Sequence, residues 1–225
     1  MKVERLKTAR LAILSILLIL AFTSWSYADT LSLRYSTDGT TWTTVDDAMS
    51  PFFLMTSTSV GIFDVFTEIG QGSPGLPPGT LDLNSTLTTS GGGTGMLFVE
   101  LSQTDIMGAA GAWVLQFGPT FTGSGLSLQL SAYVDDANAL FAKTTAIGST
   151  LGPITTFGAY STSGSASVTS PYSLTQSLVF TCTNCTAGTG TTGNALLTPV
   201  PEPSSLLLLG SGLASLVVWM RRRRS

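Results

Sequence analysis

Apolar and polar residues alternate with a period of two along much of this chain. The clearest run extends from Leu126 to Val134, where every second residue is apolar and the residues between are Ser, Gln, Ser and Tyr. A period of two places the apolar side chains on one face of an extended strand, whereas a helix would need a period of 3.6. The pattern therefore predicts a β-strand with one buried face.

Other runs with the same period, or with a short continuous apolar stretch, predict further strands separated by Gly, Pro and Asp. Asp38-Gly39 lies between two alternating runs, which is typical of a tight hairpin. Within residues 29–182, a short helix is expected only over Asp135–Lys143. The predicted strands are Leu31–Tyr35, Thr41–Val45, Val60–Ile69, Thr80–Thr88, Met96–Ser102, Ala112–Phe117, Leu126–Val134, Ile154–Tyr160 and Leu174–Cys182. This pattern predicts a mainly β fold, either an antiparallel β-sandwich or an open barrel, over residues 29–182.

The N-terminal apolar run does not alternate. Four basic residues within the first ten positions precede the apolar run Leu11–Phe22, and Ser26-Tyr27-Ala28 places small residues where a signal peptidase reads them. We predict a signal peptide over residues 1–28, cleaved between Ala28 and Asp29. An uncleaved membrane helix is the alternative, which the short apolar run disfavours.

The C-terminal apolar run, residues 204–220, is followed by four arginines, Arg221, Arg222, Arg223 and Arg224. A helix of this length spans roughly 25 Å, near the minimum for a bilayer core. Guanidinium groups do not cross a bilayer easily, so the arginines would stay on the cytoplasmic side. The sequence predicts a transmembrane helix that anchors the precursor in the inner membrane.

Pro201, Glu202 and Pro203 stand directly before this apolar run. The Pro-Glu-Pro motif, the apolar run and the arginine tail follow one another over residues 200–225. This order resembles the PEP-CTERM sorting signal of Gram-negative bacteria. The resemblance implies that an exosortase, a membrane transpeptidase-like enzyme, recognises the three residues and processes the chain near them. It also implies export to the cell surface or the extracellular matrix, in bacteria that make extracellular polysaccharide.

The charge of the chain is distributed unevenly. Residues 29–198 carry eleven carboxylates against Arg34 and Lys143, a net charge of −9, whereas both ends are positive. A strongly acidic exported part argues against nucleic acid and anionic lipid surfaces as partners.

The chain contains no histidine. This excludes Ser-His-Asp and Cys-His catalysis and a His-ligated zinc site. Paired carboxylates could still serve a glycosidase, and Asp135-Asp136 or Asp46-Asp47 could offer oxygen ligands to calcium, although neither follows the calcium-loop pattern. The candidate acids are Asp46, Asp47, Asp64, Glu68, Glu100 and Asp105. We predict no catalytic residue, cofactor or metal site, since a solvated acidic surface accounts for these residues.

The two cysteines, Cys182 and Cys185, are three positions apart in an exported chain, which favours a local disulfide over a redox or zinc site. Residues 183–199 are rich in Thr, Gly, Ala and Asn, and we predict a flexible stalk there.

The leading hypothesis is a non-enzymatic surface or matrix protein that associates with itself or with polysaccharide, through faces bearing Trp42, Tyr133 or Tyr160. The alternative is a secreted carbohydrate-active hydrolase with paired carboxylates. Two carboxylates facing each other in a cleft would favour the alternative.

Overall fold

A computed structural model of the chain describes residues 30–46, 53–72, 76–107, 111–200 and 211–212. The predicted signal peptide with its cleavage position at Ala28 and Asp29, the motif Pro201–Pro203 and the arginine tail lie outside these ranges. Only residues 211–212 of the predicted membrane helix fall inside them. Within the described ranges, no helix has the length and hydropathy that crossing a membrane requires.

The described residues form fourteen β-strands, and the paired strands are antiparallel. They are β1 (Leu31–Ser36), β2 (Thr43–Asp46), β3 (Phe53–Val60), β4 (Phe63–Gln71), β5 (Leu81–Thr89), β6 (Gly93–Ile106), β7 (Ala112–Phe117), β8 (Thr120–Thr122), β9 (Leu126–Asp135), β10 (Thr145–Ala146), β11 (Leu151–Ile154), β12 (Tyr160–Ser165), β13 (Tyr172–Cys185) and β14 (Gly190–Val200). The predicted mainly β class is therefore confirmed.

The strands form two sheets of seven. Sheet A has the order β10-β9-β13-β6-β1-β2, and β11 also pairs with β9. Sheet B has the order β12-β7-β14-β5-β4-β3, and β8 also pairs with β14. The two sheets face each other as a β-sandwich: the Gln176 amide of sheet A donates to the carbonyls of Leu81 and Ala195 in sheet B, at 3.3 and 3.1 Å.

The apolar side chains of the alternating runs fill the space between the sheets. On β9 the residues from Leu126 to Val134 alternate as expected, and Leu128, Leu130 and Val134 are fully buried. Trp113 and Tyr172 pack edge to face in the same core, with ring centroids 6.1 Å apart. Burial of each such side chain contributes about 1.5–3 kcal/mol, so the period-two pattern is what holds the sheets together.

The strand predicted over Val60–Ile69 is confirmed from Phe63 onward, but its first part is wrong, because the chain turns at Gly61 and Ile62. Gly61 has a φ of +62°, a conformation that glycine adopts without strain. The turn joins β3 to β4 as an antiparallel hairpin. Strand β3 was not predicted, since its Ser and Thr residues resemble a loop in composition.

Two predictions after β9 are also wrong. Asn138 and Phe141 have positive φ values, 58° and 59°, so the segment Asp135–Lys143 forms turns rather than a helix. The single strand predicted over Ile154–Tyr160 is two strands, because β11 ends at Ile154 and β12 begins at Tyr160.

Residues 183–199, predicted as a stalk, are instead part of the sandwich. Strand β13 continues to Cys185, and β14 lies inside sheet B between β5 and β7. Along β14, Ala195 and Leu197 are fully buried. The folded body therefore extends to Val200, well past the predicted boundary at residue 182.

Candidate functional site

The register of sheet A aligns three polar residues on its outer face, the side that points away from sheet B. Arg34 on β1 lies opposite Glu100 on β6, and Glu100 lies opposite Ser177 on β13. Their side chains alternate with buried apolar ones such as Leu33 and Leu101. Residues far apart in sequence are thus brought into one row across three strands.

Glu100 is fully buried and is paired with two cations. The Arg34 guanidinium contacts Glu100 Oε2 through Nη2 at 2.6 Å and Nε at 2.8 Å. The Lys143 ammonium forms an ion pair with Oε1, and the Ser177 hydroxyl donates to the same oxygen at 3.2 Å. A buried carboxylate needs such partners, since an uncompensated charge there is very costly.

Aromatic rings surround these two cations. The Arg34 guanidinium lies between Trp42 and Phe141, 4.1 and 4.2 Å from the ring centroids, and Lys143 Nζ is 5.7 Å from the ring of Tyr133. These distances are within cation–π range. We call Arg34, Trp42, Glu100, Phe141 and Lys143 together the Arg34 cluster. Trp42 also packs edge to face against Phe98, with centroids 6.4 Å apart.

The loop 136–144 crosses the outer face of sheet A and supplies Phe141 and Lys143. Asp135 accepts hydrogen bonds from two points of the loop: Thr144 Oγ1 at its end donates to Oδ1 at 2.5 Å, and the Ala139 amide donates to Oδ2 at 3.0 Å. The Thr144 hydroxyl, followed by the Ala139 amide, lowers the pKa of the Asp135 carboxyl. The Phe141 amide donates to Ser102 Oγ at 2.9 Å, which fixes the middle of the loop to β6.

Beside the Arg34 cluster the outer face of sheet A is open. The next row of the sheet brings together Phe98, Val179 and Gln129, from β6, β13 and β9. Phe98 and Val179 are half-buried, and Gln129 is exposed. Ser131 follows on β9, where its hydroxyl is 2.9 Å from Thr150 Oγ1. This surface combines aromatic rings with hydroxyl and amide groups and two partly exposed cations, a combination suited to a polar ligand with an apolar side.

The three aromatics singled out from the sequence fall in different places. Trp42 and Tyr133 both border the outer face of sheet A, at its β1 and β9 sides. Tyr160 lies on β12 in sheet B, where its hydroxyl donates to the Thr156 carbonyl at 3.1 Å. Tyr160 also lines a shallow pocket of about 360 Å³ with Gln116, Asn194 and Leu196 among its walls. Phe98 and Phe141 were not singled out; Phe98 sits in a continuous apolar run and Phe141 in the predicted helix.

The candidate acids of the hydrolase alternative are each held by local partners where the structure describes them. Ser59 donates to Asp64 at 2.6 Å, and Asn138 donates to Asp105 at 2.7 Å. Asp47 and the side chains of Asp46 and Glu68 lie outside the described part. Asp82, on β5, differs: burial raises the pKa of its carboxyl, while a hydrogen bond from Asn194 opposes the rise. Asp82 is in sheet B, whereas Glu100 is in sheet A.

The acids considered for calcium also serve the loops. Asp135 holds the loop 136–144, and Asp136 Oδ1 accepts hydrogen bonds from the Thr169 amide and hydroxyl at 2.5 and 3.0 Å. In the ranges that the structure covers, no group of three or more acidic or cysteine side chains is arranged to hold a metal ion. A disulfide joins Cys182 and Cys185 at the end of β13.

The last residues of the folded body overlap the start of a recognised sequence motif. Residues 199–224 match the PEP-CTERM protein-sorting motif. The chain carries a PEP-CTERM sorting motif. This confirms the resemblance seen in the tail, and it indicates export, with exosortase-type processing, to the surface or the extracellular space. The PEP-CTERM match begins at Pro199, which still pairs with Trp113 in sheet B.

Comparison with solved structures returns remote similarities. The carbohydrate-binding module TmCBM61 in complex with β-1,4-galactotriose is 10% identical, with 61% of this chain and 88% of that chain covered and a TM-score of 0.33. A xylan-binding domain from Paenibacillus barcinonensis is 11% identical, with 78% and 99% covered and a TM-score of 0.32. The adhesin domain of Epf from Streptococcus pyogenes is 11% identical, with 77% and 60% covered and a TM-score of 0.37. These values are too low to transfer a ligand or a site. No curated protein matches the chain by sequence.

Proposed function

We propose that this protein is a non-enzymatic surface or matrix protein that an exosortase-type enzyme processes and whose body binds extracellular polysaccharide. The mature body starts at Asp29, and the residues 204–220 anchor the precursor in the inner membrane until processing. The binding surface is the outer face of sheet A, beside the Arg34 cluster. The combination of aromatic rings and polar groups on this face is the observation that carries the proposal.

The chemistry of the face matches that of a sugar polymer. A pyranose ring has an apolar side formed by C–H groups, which packs on aromatic rings, and a rim of hydroxyls that exchange hydrogen bonds with polar side chains. Trp42, Phe98 and Tyr133 supply rings, and Gln129 and Ser131 supply polar groups. Four adjacent strands span about 14 Å, so the face is long enough for a short run of sugar units.

Rigidity of the face also supports a binding role. The two stacked rings, the ion pairs of Glu100 and the anchored loop 136–144 hold Arg34 and Phe141 in place. A ligand that meets a preorganised surface loses less of its binding free energy to the ordering of side chains. The acidic body carries its only two cations, Arg34 and Lys143, on this face, and these could donate to hydroxyl or carboxylate groups of a polymer.

The experiment is affinity electrophoresis of the body, residues 29–200, through gels containing the producer's own polysaccharide. Trp42→Ala and Tyr133→Ala should each raise the dissociation constant obtained from the retardation about fivefold to thirtyfold, because loss of a stacking ring costs on the order of 1–2 kcal/mol. Phe157→Ala is the matched control, since Phe157 is 78% exposed but lies in the segment between β11 and β12. Circular dichroism checks that each variant is folded.

If both variants are folded and are retarded as strongly as the wild-type body, the polysaccharide binds elsewhere on the body or does not bind to it. Release of new reducing ends from the same polysaccharide would instead favour the hydrolase alternative. In that case Asp82→Asn should be assayed first, because the Asp82 carboxyl is the described acid whose pKa burial raises.

A further inference from the structure

The two sheets end in edge strands, and most of these edges are protected. Strand β2 is only four residues long and ends in Asp46. At the far side of sheet A, β10 and β11 are two and four residues long, and β11 contains Pro153. Short strands, charges and prolines are the usual means by which proteins prevent pairing at a sheet edge.

The edge at β12 is protected in a different way. The segment 147–149 lies against this strand: the Ser149 amide donates to Thr162 Oγ1 at 3.1 Å, and the Ser149 hydroxyl is 3.2 Å from the same oxygen. A Cβ at Gly148 would lie 2.8 Å from the carbonyl oxygen of Ser163. The backbone of the segment is therefore in close contact with β12 and leaves little room for another strand.

Strand β3 forms the remaining edge of sheet B, and none of these protections is found there among the residues that the structure describes. It is eight residues long, Phe53–Val60, and contains no charged residue, proline or glycine. It pairs with β4 on one side, and within the described ranges no strand pairs with its other side. Two large apolar side chains on this strand are exposed, Phe53 at 36% and Met55 at 68%. A long uncharged edge strand of this kind readily accepts another strand.

We propose that β3 pairs antiparallel with β3 of a second copy of this chain, about a two-fold axis at Ser57. This register matches the faces of the two strands, because residues at equal distances from Ser57 point to the same side. On the inner side Thr56 lies opposite Thr58 and Leu54 opposite Val60; on the outer side Met55 lies opposite Ser59. Sheet B then continues from one copy into the next, and the symmetric contact closes as a dimer.

We expect the partner of the β3 edge to be a second copy of the chain, because the strand is complementary to itself in this register. Threonine opposite threonine is a favourable cross-strand pair, and the apolar Leu54 and Val60 meet each other. Each body carries a net charge of −9, so the two copies repel each other at low ionic strength. The dimer should therefore strengthen as added salt screens this repulsion.

The first test is a symmetric cross-link in the body, residues 29–200, which contains every strand of both sheets. The chain has only two cysteines, and these form the Cys182–Cys185 disulfide, so an added cysteine is the single free thiol. Ser57→Cys should give a disulfide-linked dimer under mild oxidation, since the two Cα atoms at the axis are about 5 Å apart. Ser161→Cys, on the exposed outer side of β12, is the matched control and should stay monomeric. Equal cross-linking of the two variants, or none in Ser57→Cys, would overturn the proposal.

The second test uses charge. Ser57→Lys and Ser57→Glu each place like charges opposite one another at the axis, which should raise the dimer dissociation constant by up to about fivefold in sedimentation velocity. An equimolar mixture of the two variants should recover the dimer, because opposite charges then face each other. Recovery also shows that both variants are folded. Monomeric wild-type protein at high concentration and high salt, or variants that dimerise as the wild type does, would contradict the pairing.

Discussion

Glu100 is the residue on which the outer face of sheet A depends. Its carboxylate contacts residues from three distant regions of the sequence: Arg34 on β1, Ser177 on β13 and Lys143 in the loop after β9. The sequence identified Arg34 and Lys143 as the only cations of the exported part, but it could not show that both contact one carboxylate. That contact requires the order of strands in the sheet, which alternation alone does not specify.

Replacement of Glu100 with Gln should lower the free energy of unfolding by about 2 kcal/mol, because two cations lose their shared counterion while the shape of the side chain is kept. Urea denaturation followed by tryptophan fluorescence measures this. Asp64→Asn serves as the control, since Asp64 is bonded to Ser59 at the surface and its replacement should change stability by about 0.5 kcal/mol or less. A Glu100→Gln variant as stable as the wild type would mean that the ion pairs contribute nothing net.

Asp135 makes stability depend on pH in a defined direction. Its pKa is lowered in the fold from an ordinary 3.8, first by the Thr144 hydroxyl and then by the Ala139 amide. The stabilisation is therefore fully present above this ordinary pKa and is lost as the pH falls through the lower folded pKa. Urea denaturation at pH 7 and pH 3 should show a smaller loss of stability for Asp135→Asn than for the wild type. Equal losses in the two proteins would contradict this role.

Among the elements, strands with large alternating side chains were predictable and strands of small residues were not. Leu126–Val134 and Ala112–Phe117 were identified because Leu, Val and Trp mark the buried face. On β14 the inward positions include Thr191, Gly193 and Ala195, whose small side chains leave no hydrophobic period to detect. Position 193 requires glycine because the Phe117 ring packs against it: a Cβ there would lie 2.8 Å from the ring. Composition therefore indicated a stalk where the sheet has an internal strand.

Truncation distinguishes a strand from a stalk at this position. A body ending at Thr189 should fail to fold, because β5 and β7 lose the strand between them and Leu81 and Leu115 become exposed. A body ending at Val200 should fold as the full chain does. Circular dichroism and tryptophan fluorescence report the difference. A folded protein ending at Thr189 would restore the stalk interpretation.

For the whole molecule, the folded body and the sorting motif meet without a spacer. Strand β14 pairs with β7 as far as Val200, and Pro201 follows directly. Thr30 lies at the same end of the sandwich. Its carbonyl accepts a hydrogen bond from Thr104 near the end of β6, where Tyr172 of β13 lies opposite Ile106. Tyr172 packs against Trp113, which lies opposite Pro199 of β14. Thr30 and Val200 therefore lie at the same end of the sandwich. Processing that preserves the fold must cut at or beyond Val200.

Intact mass spectrometry of the native protein from separated cell fractions tests the central claim, that this is an exported protein sorted through its PEP-CTERM motif. We expect the wild-type chain outside the cytoplasm, beginning at Asp29 and ending at or shortly after Val200. We expect Glu202→Ala to remain in the inner membrane with its C-terminal tail intact. A cytosolic wild-type chain with both ends present, or a Glu202→Ala chain processed like the wild type, would contradict the account.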